Sequence, residues 1–198
     1  MKIVERIQVL ANGSFPLSTE WSIANAEITE AIKLVDWPLG SGKFTVLPER
    51  HGNGVTPIKT PCTKRLVELG WTGEGLPPVS GSELRTGDLD AFRLTNLGYV
   101  GFEWETGNIS SSHRAVNKLL LALQESVLIG AILVVPSDNF YRFLTDRVGN
   151  IKELRPYVRL WKSYPIKNGV FEIIVIEYDS TSPDVPRISK GTDGRALR

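Results

Sequence analysis

The chain has 198 residues, 41% apolar and 23% charged, the balance of one folded domain of ordinary size with a sizeable core. Its formal net charge is +1, which gives no global signal for nucleic acid but leaves room for a basic face balanced by an acidic one. The one cysteine, Cys62, has no internal disulfide partner, and neither a signal peptide nor a long uncharged apolar span is found, so the expectation is a reducing cytosol and no membrane.

Met1 to Leu10 has the β-branched content of a strand, and Ala11-Asn12-Gly13 ends it with a turn signal. Trp21, Ala24, Ile28, Ala31, Ile32 and Val35 then recur at helical spacing until Pro38. Lys43 to Leu47 is a short strand candidate, followed by a loop from Pro48 to Lys59. Thr60-Pro61 supplies an N-cap and a first-turn proline for a short helix carrying Leu66 and Leu69, which Gly70 closes. The glycines and prolines of Gly73 to Ser82 make a loop.

After residue 105, Thr106 to Ser112 turns the chain and offers several helix caps, and Val116, Leu119, Leu120 and Leu123 form the inner stripe of the helix that follows. Val127 to Val135 is almost wholly apolar, as expected of a strand covered on both faces. Ser137 caps a helix bearing Phe140, Phe143 and Leu144 and ended by Gly149; a second helical piece around Leu154 to Trp161 is broken by Pro156; Val170 to Tyr178 is a last strand. This order predicts an α/β fold, a mixed central sheet flanked by helices. Residues 1–180 read as one domain and 181–198 as a polar tail, either mobile or ordered only by a partner.

The stretch from Gly87 to Glu105 carries the chemistry. If Asn96 and Leu97 form the tip of a hairpin, Asp90 lies opposite Glu103 and Asp88 opposite Glu105, with all four carboxylates on one face. Opposed positions have Cβ atoms roughly 5 Å apart, close enough for two carboxylates to grip one divalent cation, and without such a charge the like pairs would destabilise the sheet. Oxygen-only ligation favours a hard ion such as Mg2+. The bland reading is an exposed hairpin face with ordinary surface acids, and Asp88 is the better candidate for a plain loop acid. Trp104, between Glu103 and Glu105, points to the opposite face and belongs in the core. His113, Arg114 and Lys118, at the start of the next helix, are either a phosphate-facing row or ordinary surface residues on a capped helix.

An acid on the first arm of a hairpin, an acid-x-acid pair on the second, then a helix and an apolar strand resemble the catalytic core of the PD-(D/E)XK nuclease superfamily. Glu103-Trp104-Glu105 is similar to the variant in which a carboxylate replaces the usual lysine, as in BamHI-type restriction endonucleases. Met1-Lys2-Ile3-Val4-Glu5, the helix end Lys64 to Trp71, and Val100-Gly101-Phe102-Glu103 followed by Gly107 resemble the BglII and BstYI branch. Two departures stand out. The interval from Asp90 to Glu103 is long for that branch, leaving the first ligand open between Asp90 and Asp88, and Glu105 stands where that branch tends to have an amide.

The resemblance implies a restriction-endonuclease-like core and a Mg2+-dependent type II restriction endonuclease that hydrolyses double-stranded DNA at a short palindromic sequence as a homodimer. Asp90 and Glu103 would hold the ion, Glu105 would orient or deprotonate the water, and Glu68 would be an outer ligand. Arg187, Lys190, Arg195 and Arg198 make the tail slightly basic, which suits a DNA-contacting arm or a disordered end equally. Competing readings are a DNA-binding protein that has lost cleavage and a metal-independent hydrolase using two carboxylates.

Overall fold

A computed structural model describes residues 1–55, 58–79 and 87–189. A five-stranded sheet in the order β1-β6-β5-β4-β3 forms its centre, built from β1 (Lys2–Asn12), β3 (Ala91–Thr95), β4 (Gly98–Trp104), β5 (Gly130–Pro136) and β6 (Gly169–Glu177). β5 pairs parallel with both β4 and β6, while the outer pairs β1 with β6 and β3 with β4 are antiparallel. The sheet is therefore mixed. Every residue of β5 is buried, which accounts for its unbroken apolar run.

Each face of the sheet is covered. On one side α1 (Thr19–Lys33) and α2 (Thr60–Glu68) bury Ile28, Ile32 and Leu66 against Phe102, Trp104, Ile132 and Ile174. On the other, α3 (Ile109–Gln124) sets Val116, Leu119, Leu120 and Leu123 against Leu133, Phe171 and Ile173. The alternation of adjacent β5 and β6 residues between these two clusters follows from the strand period of two.

Several local expectations shift. The cap of α2 is Lys59 rather than Thr60, with no side-chain hydrogen bond, while Gly70, at φ +91°, ends that helix as expected. The helix after Ser137 is a single turn, α4 (Asp138–Tyr141), because Leu144 is already bridged to Asn53. Beyond it, α5 (Ile151–Leu154), a 3-10 turn containing Pro156, and α6 (Val158–Trp161) make up the broken helical piece.

The described part of the segment expected to be a tail packs onto the body of the fold. β7 (Ser180–Thr181) pairs parallel with β2 (Thr45–Val46). Ile188 is fully buried, its N–H donates to Asn53 Oδ1 at 3.3 Å, and its carbonyl accepts the Gly54 N–H at 2.7 Å. One apolar side chain and one buried amide anchor the segment, a signal with no periodicity to betray it. Lys190, Arg195 and Arg198 lie outside the described residues, as does the end of the Gly73–Ser82 loop. Among the described residues no helix is long and apolar enough to cross a membrane.

Candidate active site

The hairpin has the register that the acidic pattern requires: Ala91 pairs with Phe102, Phe92 with Gly101 and Thr95 with Gly98. Thr95 fixes the tip, its hydroxyl donating to the Gly98 carbonyl at 2.7 Å and accepting the Leu97 N–H at 3.1 Å. Gly98 lies at φ +135°, which favours glycine there. One step beyond the ladder, Asp90 meets the Glu103–Trp104 segment with its side chain. Its Oδ2 accepts the Trp104 N–H at 2.8 Å, so the carboxylate supplies the acceptor where β3 leaves the sheet.

Each carboxylate then meets a cation. Asp90 Oδ1 is held by the Lys59 ammonium at 2.5 Å, at the N-terminus of α2. Glu103, only 4% exposed, is in ion-pair contact with Lys118 of α3. Lys118 also donates to the Asp88 carbonyl at 2.6 Å. The Glu105 N–H donates to the Val134 carbonyl at 2.9 Å, and a side chain at Gly107 would come within 3.2 Å of Glu105 Oε2, so the missing Cβ leaves that carboxylate its place.

The electrostatics follow from burial and crowding. Burial pushes the Glu103 carboxyl up to about 7; the Lys118 ammonium opposes this, and the Asp90 and Glu105 charges add to it. Glu105 is raised as well, by burial and then by Asp90, against the pull of the Gly107 N–H, Arg114 and Lys118. Burial weakens the Lys59 charge, yet Asp90, Glu103 and Glu74 together hold its ammonium above the ordinary value.

Glu74 was missed by sequence reasoning. Antiparallel bridges join Thr72 to Phe92 and Gly75 to Leu89, so residues 72–75 run along the outer side of 89–92 and bring Glu74 beside Asp90. Both line a groove of about 430 Å³ with Lys59, Thr60, Thr63 and Lys64. No local pattern announces this, because Glu74 sits between glycines in what reads as a loop.

The remaining candidates are placed elsewhere. Glu68 is half exposed and bonded to Arg65 at 3.1 Å, which in turn grips Glu30 of α1. Asp88 is exposed, and its carbonyl rather than its carboxylate enters the site. His113 packs edge-on against Tyr157 with ring centroids 4.6 Å apart, so it belongs to an aromatic cluster, and Lys118 is turned inward on Glu103. Arg114 is exposed at the rim, near enough to act on Glu105.

The residues fit a hard divalent cation. The donor set is wholly oxygen, and Glu103 Oε1 is buried with no aligned hydrogen-bond donor despite the ammonium against it. Among the described residues no three ligand side chains stand ready-made as a cage. The oxygens best placed to form one, Asp90 Oδ1 and Glu103 Oε1, rest on lysines.

The fold matches that of restriction endonuclease BglII complexed with a DNA 16-mer, with a TM-score of 0.60 at 14% identity, covering 95% of this chain and 88% of that one. Free BglII matches with a TM-score of 0.51 at 12% identity, covering 90% and 81%. These likenesses define a restriction-endonuclease fold. A family model, restriction endonuclease BamHI, matches residues 1–195. Type II restriction enzyme OkrAI of Oceanobacter kriegii is 47% identical over 196 residues, 98% of this chain and 99% of the relative. Type II restriction enzyme BamHI of Bacillus amyloliquefaciens is 36% identical over 179 residues, 87% and 82%. The chain belongs to the BamHI family of type II restriction endonucleases. It is a nuclease of that family.

The raised Glu103 pKa has a consequence for stability. Between the ordinary carboxylate value and about 7 the folded protein holds a proton that the unfolded chain has released, so stability falls as pH rises through this window. Glu103→Gln removes this dependence. Urea unfolding without added cation will show the variant close to the parent at pH 5 and more stable at pH 8, by up to about 3 kcal/mol.

Proposed function

We propose that this enzyme hydrolyses phosphodiester bonds of double-stranded DNA at a short palindromic sequence, using Mg2+, as a symmetric homodimer. The observation that carries this reading is the convergence of Glu74, Asp90, Glu103 and Glu105 at the sheet edge where β3 leaves β4. Asp90 and Glu103 hold the cation, and Glu74 takes the outer-ligand role expected of Glu68. When bound, the cation supplies positive charge at the scissile phosphate and makes a water easier to deprotonate.

The protein's own groups do the rest. Glu105, raised above the ordinary carboxylate value, is better matched to accept a proton near neutral pH than an exposed acid would be. Its main chain is fixed by the Val134 carbonyl, so its carboxyl is presented from a rigid strand end. Lys118 keeps positive charge beside Glu103 and ties the chain at Asp88 to α3. Arg114, exposed above Glu105, supplies charge toward a DNA backbone.

The homodimer reading is supported by exposed apolar side chains beside the outer face of α3. Leu121 is 37% exposed two turns from His113, Tyr157, at 47%, packs on His113 in the aromatic cluster, and Leu160, at 57%, follows on α6. A two-fold contact would cover these side chains. Leu160→Glu will sediment as a monomer at concentrations where the parent is dimeric; an unchanged dimer removes this surface from the interface.

Plasmid digestion tests the reaction. With Mg2+ the parent will give discrete fragments with one shared end sequence, and a chelator will abolish them. Asp90→Ala and Glu103→Ala will each lower the rate by about 1,000-fold or more, a loss of about 4 kcal/mol of transition-state stabilisation. Glu74→Gln will lose activity and Glu68→Gln will keep it. Intact DNA across a range of Mg2+ and salt concentrations contradicts the reading.

A further inference from the structure

Both oxygens of Asp90 are already engaged. Oδ2 accepts the Trp104 N–H at 2.8 Å, a bond that closes the end of the β3–β4 ladder. Oδ1, the oxygen left to ligate a cation, is held by Lys59 at 2.5 Å. An ammonium and a divalent cation repel each other across one carboxylate oxygen, so ligation through Oδ1 is weakened while Lys59 stays on it.

The two lysines at the site are not equivalent in this respect. The Lys118 side chain is 13% exposed and tethered to the Asp88 carbonyl, whereas that of Lys59 is 47% exposed. Lys59 stands at the mouth of the groove shared with Thr60, Thr63 and Lys64, at the N-terminal end of α2, where no side chain caps the helix. Two ammonium groups and two hydroxyls along one groove, which Glu74 and Asp90 line on its other side, make a place where a phosphate of the DNA backbone can lie. A phosphate there offers Lys59 the anionic partner it loses at Asp90.

We propose that Lys59 is an exchange residue: its ammonium passes from Asp90 to a DNA phosphate in the α2 groove, freeing Asp90 Oδ1 for the cation and so coupling cation loading to DNA binding. Lys59 is a positioning residue in this scheme, acting through Asp90. The inference rests on Asp90 and Glu103 as the cation's ligands. It gives the protein alone a weak cation site and the DNA complex a tight one, with each ligand strengthening the other by the same factor.

The test measures Ca2+ binding by calorimetry, Ca2+ standing in for Mg2+ as a hard, oxygen-seeking cation, in a Glu105→Gln background that prevents cutting. The duplex carries the sequence found at the digestion ends. In protein alone, Lys59→Met will bind Ca2+ at least threefold more tightly than the background protein, because the competitor is gone. Lys64→Met, which removes the same charge from the same groove without touching Asp90, will stay within twofold. Adding duplex will tighten Ca2+ binding about tenfold or more in the background protein and by a smaller factor in Lys59→Met.

In the background protein, the Lys59 ammonium resonance will shift on adding Ca2+ with the midpoint of Ca2+ binding, a readout that needs no variant to fold. Ca2+ binding that Asp90→Asn abolishes but Lys59→Met leaves unchanged or weakens overturns the exchange alone. An equal gain in Lys64→Met also overturns it, since the effect is then one of general charge. Absence of any Ca2+ binding dependent on Asp90 and Glu103, with or without duplex, overturns the exchange together with the cation reading beneath it.

Discussion

The hydrogen bond from the Trp104 N–H to Asp90 Oδ2 is the constraint on which the site depends. It ends the β3–β4 ladder with a carboxylate in place of a main-chain carbonyl. The first acid is thereby aligned with the last residues of β4, where Glu103 and Glu105 follow at the strand period. Were β3 to slip by one residue, the side chain in that position would be Leu89 or Ala91 and no cation could be gripped across the pair. Thr95 at the hairpin tip, bonded on both sides of the turn, and the Phe92 pairing with Thr72 hold the register from opposite ends.

Like charges at this density need opposing charge, and the helices bring it from both faces of the sheet. α2 presents Lys59 to Asp90 and α3 presents Lys118 to Glu103, one ammonium for each carboxylate. Burial is what raises Glu103, and it would also strengthen the proposed cation site, since carboxylates at a poorly hydrated strand end interact with a cation far more than they would at a surface. The same feature costs stability when the acids ionise. The fold therefore carries a local penalty at its functional centre, offset by the apolar clusters on both sides of β5.

The site was readable in the sequence where local rules decide it. Alternation around Asn96-Leu97 was enough to set Asp90 against Glu103, and the buried run of β5 and the stripe of α3 followed from periodicity. What depended on distant pairing was not readable. Glu74 joins Asp90 only because residues 72–75 bridge to 89–92, and a glycine-rich stretch gives no hint of that. Glu68 had the right charge on the right helix, but its orientation toward Arg65 is set by packing between α1 and α2. Lys118 read as either a phosphate-facing or an ordinary surface lysine because helical spacing cannot reveal a buried acid on the facing strand. The docking of Ile188 beside Asn53 was hidden for the same reason: a single anchor has no period.

The proposed cation site lies between Asp90 and Glu103 at the end of the β3–β4 ladder. Crystals of the protein with a cognate duplex, soaked in Mn2+ and measured at the manganese absorption edge, test it most directly. An anomalous peak is expected at ordinary octahedral bonding distance, roughly 2.1 Å, from one oxygen of each of these two carboxylates, with Lys59 moved off Asp90. A peak on Glu68 instead, or Asp90 still bound to Lys59 with the cation elsewhere, would contradict it.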